Sequence, residues 1–129
     1  MELYNYRKLI VYVKAKALAI EVYGLLRKYP KEENYALCDQ MRRAAISITS
    51  NIAEGSSRYS VKEKCHFLEI AYGSLMELMS QLEISNDLNY ILDDDLNNIE
   101  VLVSDVARLL SGLQRSYQND PVSQPMAEQ

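Results

Sequence analysis

The sequence has little of several residue types. Its 129 residues include no tryptophan, one phenylalanine, four glycines, three prolines and two cysteines. So little glycine and proline excludes a loop-rich β-sandwich and a collagen-like repeat. Two cysteines are too few for a disulfide framework in a chain of this length, so we expect Cys38 and Cys65 to be reduced, buried thiols. No apolar run approaches 18 residues and no signal peptide opens the chain, which predicts a cytoplasmic protein with no membrane contact.

Catalytic motifs are also missing from the sequence. It has no G-x-S-x-G, no P-loop and no G-x-G-x-x-G. The single histidine, His66, forms at most a weak metal site with Glu63 and Glu69, because zinc takes three or four protein ligands. The run Asp93–Asp95 lacks the spacing of a calcium loop and is typical of a helix start. We therefore expect no catalytic residue, no metal and no cofactor, and we predict that the chain is not an enzyme.

The most distinctive features of the composition are its ten tyrosines and the uneven distribution of charge along the chain. The hydrophobic share of 48% and the charged share of 25% exclude a disordered chain. The net charge is −4, yet residues 1–31 carry seven Lys and Arg against two Glu, which gives +5. The first quarter of the chain is therefore predicted to be a basic element on an acidic body.

Apolar residues repeat at three- and four-residue steps in four segments, at about residues 4–29, 34–54, 60–88 and 95–117. No useful run alternates with a period of two, so we predict no strands. Because the connections are short, sequential helices should lie antiparallel. The fold class is therefore all-α: an antiparallel up-down-up-down four-helix bundle over residues 1–117, followed by a disordered tail over 118–129.

Particular residues predict the core and the helix ends. In the first helix we expect one buried stripe, formed by Leu9, Val13, Ala17, Ile20 and Gly24. A second set of residues widens this stripe: Leu18, Val22, Leu25 and Leu26. Gly55 fits a left-handed helix cap, Ser60 and Glu63 fit a capping box, and Asn89 fits a left-handed residue. The first and fourth helices carry more apolar surface than one seam needs, which predicts self-association.

Two segments carry a family resemblance: RRAAISITSNIAEG at residues 42–55 and FLEIAYGSLMEL at 67–78. They resemble the bacterial four-helix-bundle family first noted as proteins encoded in ribosomal-RNA intervening sequences. The accessory variability determinant of diversity-generating retroelements is part of the same family. Thr49 stands where many members have proline. The resemblance implies an antiparallel bundle that assembles into a homopentamer. In the retroelement members it also implies nucleic-acid binding and a complex with a reverse transcriptase.

The family motif predicts a set of structural residues: Arg43, Ser47, Asn51, Glu54, Gly55, Glu69, Gly73 and Glu77. The spacing of Arg43, Ser47, Asn51 and Glu54, with Arg58 beyond them, places them on one helix face. On a structural interpretation, Arg43 pairs with Glu69 or Glu77, and Asn51 caps or bridges the turn after Gly55. On a functional interpretation, the same face is a polar recognition surface.

Basic residues interleaved with tyrosines predict a nucleic-acid site. The candidates are Arg7, Lys8, Lys14, Lys16, Arg42, Arg58, Lys62 and Lys64. A basic groove with aromatic faces holds single strands without sequence preference. Against this, cations such as Arg27 and Lys28 at a helix C-terminus are ordinary dipole complements. Two hypotheses remain: a homo-oligomeric bundle that binds RNA, DNA or a partner such as a reverse transcriptase, and a protein–protein scaffold with no affinity for nucleic acid.

Overall fold

The computed structural model describes residues 3–119 and contains four α-helices in that range. They are α1 (Ile10–Leu26), α2 (Leu37–Ser56), α3 (Val61–Asp87) and α4 (Asp93–Asn119). Short 3-10 helices lie at Asn5–Lys8 and Lys31–Glu33. No strand occurs within the described range. The all-α class with four helices is therefore confirmed, and the part of the predicted tail beyond residue 119 lies outside the described residues.

The first predicted helix, residues 4–29, is too long at both ends. Leu9 has an extended backbone (φ −70°, ψ 126°) that separates the 3-10 helix from α1. The α-helical pattern ends at Leu26, and a tighter turn follows in which the Lys28 and Tyr29 amides donate to Leu25 and Leu26. The end comes before Pro30 because proline disfavours the helical conformation in the residue ahead of it.

The ends of α3 and α4 follow their predicted signals. The Ser60 hydroxyl accepts a hydrogen bond from the Glu63 amide at 3.1 Å, as a capping residue does. Asn89 has φ 64°, the left-handed conformation expected after α3. The Asp95 carboxylate accepts from the Leu92 amide at 3.0 Å, so the acidic run does begin α4. These contacts fix the two turns on either side of α3.

Gly55 is not a left-handed cap. It lies inside α2, no described glycine has a positive φ, and the helix continues to Ser56. A Cβ on Gly55 would lie 3.0 Å from the Phe67 Cβ and 3.2 Å from the Lys64 carbonyl oxygen. This glycine is therefore required for the close approach of α2 and α3, and not for a turn.

The core lies between the four helices, with α1 packed on α2 and α4, and α3 packed on the same two helices. The apolar residues that recur at three- and four-residue steps along one face of α2, α3 and α4, such as Met41, Leu75 and Val106, are buried in the core. The predicted stripe of α1 is wrong: Val13, Ala17, Ile20 and Gly24 are exposed. The α1 residues that enter the core are Val11, Ala15, Leu18, Ala19, Val22 and Leu26. Because α1 is apolar on two faces, its periodicity identifies two seams and does not distinguish them.

Gly55→Ala should destabilise the fold by about 1–3 kcal/mol, because one of the two obstructing groups is backbone and the helices must separate. Gly112→Ala is the matched control, since the nearest atom to its added Cβ is the flexible Arg115 side chain at 3.8 Å. That control should be neutral or gain up to about 1 kcal/mol from helix propensity. Urea unfolding measures both, and a Gly55→Ala protein as stable as the wild type would refute the assigned close contact.

Candidate nucleic-acid interface

A groove of three adjoining segments, which share lining residues, follows the outer surface of α1 on the side of α2. Its central segment, of about 580 Å³, includes Tyr12, Lys16, Ile20, Tyr23 and Arg27 among its lining residues. A segment toward the N-terminus shares Tyr12 and Lys16 with it, and a segment of about 360 Å³ at the other end shares Tyr23 and Arg27. We call this surface the basic groove, and define it by Tyr6, Arg7, Tyr12, Lys16, Ile20, Tyr23, Arg27, Lys31 and Arg42. It follows the whole of α1, roughly 25 Å at 1.5 Å per residue.

The charge of the basic groove has one sign. Its lining includes five cations (Arg7, Lys16, Arg27, Lys31 and Arg42), and within residues 3–119 no Asp or Glu lines any of its three segments. Glu33, in the loop at one end, accepts a hydrogen bond from the Tyr90 hydroxyl at 2.8 Å. The net charge of −4 therefore comes from residues elsewhere on the molecule, and it does not neutralise this groove.

Helix α1 and the start of α2 position the side chains of the groove. Tyr12 and Tyr23 are eleven residues apart, as are Lys16 and Arg27, and eleven residues make about three helical turns. Each pair therefore projects from the same side of α1. Arg42 completes one end, where its guanidinium donates to the Asn34 carbonyl at 2.8 Å.

The eight predicted basic residues do not form one site. Arg7, Lys16 and Arg42 line the basic groove. Lys14 lies on another side of α1, 3.9 Å from the Asp105 carboxylate. Lys8 is exposed near the start of α1, in a separate apolar cleft against α4.

The remaining three predicted residues lie near the α2–α3 turn. The Arg58 guanidinium donates to Glu54 at 2.7 Å and stacks over the Phe67 ring at 4.7 Å. The Lys64 ammonium donates to the Ser56 carbonyl at 3.2 Å and lies over the Tyr117 ring at 4.8 Å. Lys62 is exposed. Arg58 and Lys64 thus hold the ends of helices together, which makes them structural residues.

The sequence prediction left two important groove cations, Arg27 and Lys31, out of the candidate set. The sequence prediction assigns Arg27, together with Lys28, to the helix dipole, and it does not single out Lys31. The eleven-residue spacing of Lys16 and Arg27, repeated by Tyr12 and Tyr23, is the signal that would have identified a shared face. Lys31 has no such signal, because only the fold brings it to the segment that Arg42 lines.

The predicted polar face of α2 divides into separate contacts. The Ser47 and Ser74 hydroxyls are hydrogen-bonded at 2.8 Å and join α2 to α3. Asn51 donates to the carbonyl and hydroxyl oxygens of Ser47 at 2.8 and 3.0 Å, so the predicted bridge from Asn51 to the turn after Gly55 is wrong.

The ion pair predicted for Arg43 is also wrong. Arg43 is exposed, as are Glu69 and Glu77, and none of the ion pairs among residues 3–119 joins them. The pair that does form on this face is Glu54 with Arg58. Gly73, which also belongs to the motif, is exposed on α3 and has open space where a Cβ would be. The motif therefore contributes the close α2–α3 contact and leaves its charged residues, Arg43, Glu69 and Glu77, at the surface.

Three further features bear on function: metal-ligand clusters, cysteine pairs and membrane-spanning helices. Among the described residues, no three His, Cys, Asp or Glu side chains are grouped as metal ligands are. Cys38 and Cys65 are both free and buried, as predicted. No helix of the described chain is both long enough and apolar enough to cross a membrane.

The buried thiols predict how stability depends on pH. Burial raises the pKa of Cys38 and of Cys65 above the ordinary value of 9.0, and burial likewise raises the pKa of Tyr29 and Tyr117 above 10.0. Their contribution is complete below the unfolded pKa and is lost as pH rises through the folded pKa. The hydrogen bond to Glu33 raises the pKa of Tyr90 as well, and burial lowers the pKa of Lys64, which acts in the opposite direction as one group against five.

We therefore expect a lower melting temperature at pH 10 than at pH 8. A Cys38→Ala/Cys65→Ala variant should start from a lower value at pH 8 and lose less between the two. Calorimetry at both pH values measures this, and an equal loss in the wild type and the variant would show that the thiols are not responsible.

Comparison with known proteins identifies the family of this four-helix chain. The model of the 23S rRNA-intervening sequence protein family matches residues 7–112. The chain therefore belongs to this family. A similar solved structure is a protein of unknown function from the S23 ribosomal protein family of Bacteroides thetaiotaomicron, with a TM-score of 0.76 and 22% identity, covering 82% of this chain and 96% of that one. The search of curated proteins gave no match. The structural likeness shows a shared fold, and the function must be argued from the surface.

Proposed function

We propose that the protein is a non-catalytic, homo-oligomeric, antiparallel four-helix bundle that binds single-stranded nucleic acid along the basic groove. The observation that carries this proposal is the groove lining, in which five cations and four tyrosines line three adjoining segments and, within the described residues, no Asp or Glu does. Phosphates are attracted to a path of Lys and Arg, and unpaired bases stack on aromatic rings.

The tyrosines favour a single strand over a duplex. Tyr23 is 41% exposed, so a ring face is open to a base. Tyr12 contacts Tyr6 edge to face at 4.8 Å between ring centroids, which fixes the orientation of both rings at the N-terminal end of the groove. Bases in a duplex are already stacked on one another, so rings at the floor of a groove are accessible chiefly to unpaired bases.

Contacts between the helices support the antiparallel arrangement. From Ser47 to Gly55 along α2, the facing residue on α3 moves back from Ser74 to Phe67. Lys64 near the start of α3 contacts Tyr117 near the end of α4, whereas Asn86 near the end of α3 contacts Asp93 at the start of α4. These contacts support an antiparallel course for both neighbouring pairs.

The exposed side of α1 supports self-association. Ile10, Val13, Ala17, Ile20 and Gly24 are exposed at alternating three- and four-residue steps, and we call this set the outer seam. Such a seam is the pattern with which one helix packs on another. Apolar patches of this kind rarely stay open on a monomer. The family resemblance supplies the number of copies proposed, which is five.

The test is a salt titration of binding to a labelled, unstructured RNA of about 12 nucleotides, a length within the usual range of single-strand sites. If five cations contact phosphates, log K should fall with log salt with a slope of about −3.5. Light scattering on the same sample measures the number of copies. Binding that is absent at low ionic strength, or that does not depend on salt, would contradict the proposal.

The second candidate function is a protein scaffold without nucleic-acid affinity. The observation that favours it is the outer seam, which is apolar and needs only a protein partner. An oligomer that binds no RNA at low salt would support this candidate and exclude the first.

A further inference from the structure

We propose that self-association joins two different surfaces, with the outer seam of α1 in one copy docking on the acidic outer face of α3 in the next copy. The inference rests on the self-association proposed above and adds the identity of the mating surfaces. A second copy of this chain is the occupant because the outer seam is flanked by basic residues and the outer face of α3 is acidic, and because both surfaces combine small and large apolar residues.

Helix α1 needs a partner on its outer side. Its inner side enters the core, while on the outer side Val13 is 55% exposed and Ile20 is 65% exposed. A second apolar face on a surface helix is ordinarily covered by a partner. Between residues 10 and 28 this helix and its C-terminal turn carry four Lys and Arg against one Glu, so the partner surface should be apolar and acidic.

The outer face of α3 has that chemistry. Glu69, Gly73, Met76, Ser80 and Glu83 are all exposed and follow one another at steps of four and three residues. Ile70 and Ile84 beside this line are 39% and 47% exposed. Between residues 66 and 84 the helix carries three Glu and no Lys or Arg. We call this surface the acidic face.

Other faces fit α1 less well. A second α1 would place its own Lys16 and Lys28 against the same cations, and like charges oppose contact. Within α4, Val101 is the one large apolar side chain that is exposed, and Glu100 and Arg108 lie near it. The acidic face combines several exposed apolar residues with charge opposite to that of α1.

The shapes of the two surfaces also match. Gly24 on the outer seam and Gly73 on the acidic face have no atom within 4 Å of an added Cβ. Glycine is unfavourable inside a helix, and at these positions nothing within the monomer requires it. Small residues at Ala17, Gly24, Gly73 and Ser80 leave holes that Val13, Ile20 and Met76 of a facing helix can fill.

The geometry predicts the type of assembly. Helices α1 and α3 lie diagonally opposite in the bundle, since each packs on α2 and α4. A contact between unlike surfaces leaves one of each open until a ring closes, so it builds assemblies larger than dimers. The outer seam borders the basic groove and shares Ile20 with it, and Val13 and Gly24 also line segments of that groove, so the docked acidic face would lie along one wall of the groove.

The test is cross-linking between two differently tagged populations of the full chain, one with Ala17→Cys and one with Gly73→Cys. The native thiols are buried, so a short bismaleimide should react chiefly at the introduced ones. We expect mixed Ala17→Cys/Gly73→Cys products at about ten times the yield of either population alone. Asn98→Cys, exposed on α4 outside both surfaces, is the control and should form few products with either.

The outcomes separate this inference from the proposed function. Light scattering that shows a monomer would refute self-association itself. An oligomer in which Ala17→Cys links chiefly to Ala17→Cys would overturn the pairing of unlike surfaces while self-association stands. An oligomer with no cross-link at either position would overturn it as well.

Discussion

Exchanging Arg27 and Lys31 for glutamate should weaken binding of a single-stranded RNA by at least about 30-fold at 0.1 M salt and flatten the salt slope by about 1.4. Both side chains are exposed, both line the basic groove, and their replacement puts two anions where phosphates are expected. Arg42 is left unchanged because its bond to the Asn34 carbonyl also holds the start of α2.

The matched control is Lys62→Glu/Arg115→Glu. It changes the net charge by the same amount at exposed positions outside the groove. We expect a loss of less than about threefold from the change in overall field. Because glutamate at the end of α1 opposes the helix dipole, the groove variant should lose up to about 1 kcal/mol of stability, which thermal unfolding checks. Equal losses of affinity in the two variants would show that binding follows net charge and not the groove.

Placing glutamate at Ala17 should convert the assembly into monomers of 14.8 kDa. Ala17 lies at the centre of the outer seam and is exposed within the monomer, so the charge is tolerated by the fold and not by an apolar interface. Sedimentation at several protein concentrations measures the change. We expect the monomer to keep its helical circular dichroism.

Val101→Glu is the control for that experiment, since Val101 is 61% exposed on α4 and lies outside both proposed surfaces. It should leave the assembly intact. The Ala17→Glu monomer should still bind RNA, but more weakly wherever several copies contact one strand, because linked sites raise the effective concentration. An Ala17→Glu protein with the mass of the wild type would exclude the outer seam from the interface.

Much of the fold follows from sequence because three of the helices are amphipathic in the ordinary way. Leu68, Leu75 and Leu82 in α3 are buried at steps of seven residues, while Glu69, Glu77 and Glu83 are exposed on the other side, so the spacing of the leucines identifies the core. Local end signals were equally informative at Ser60 and Asn89, because a cap is formed by residues adjacent in the chain.

The errors in the sequence prediction have a common physical origin. They all concern contacts between helices, which the periodicity of a single helix does not contain. The outer seam of α1 has the spacing of a core seam, and only its packing on α2 and α4 shows that the other side is buried. Gly55 has the sequence context of a cap, but its position is determined by Phe67 and Lys64 on another helix. The interface prediction omitted Lys31 for the same reason, because only tertiary structure brings Lys31 to the groove that Arg42 lines.

The measurement that tests the central claim most directly is photo-cross-linking of the wild-type protein to a single-stranded RNA that carries 4-thiouridine, with the modified peptides identified by mass spectrometry. If the basic groove binds the strand, cross-links should concentrate on α1 and on the start of α2, with Tyr12 and Tyr23 among the modified residues. Cross-links confined to the α2–α3 turn around Lys62, or spread evenly over the surface, would contradict the account.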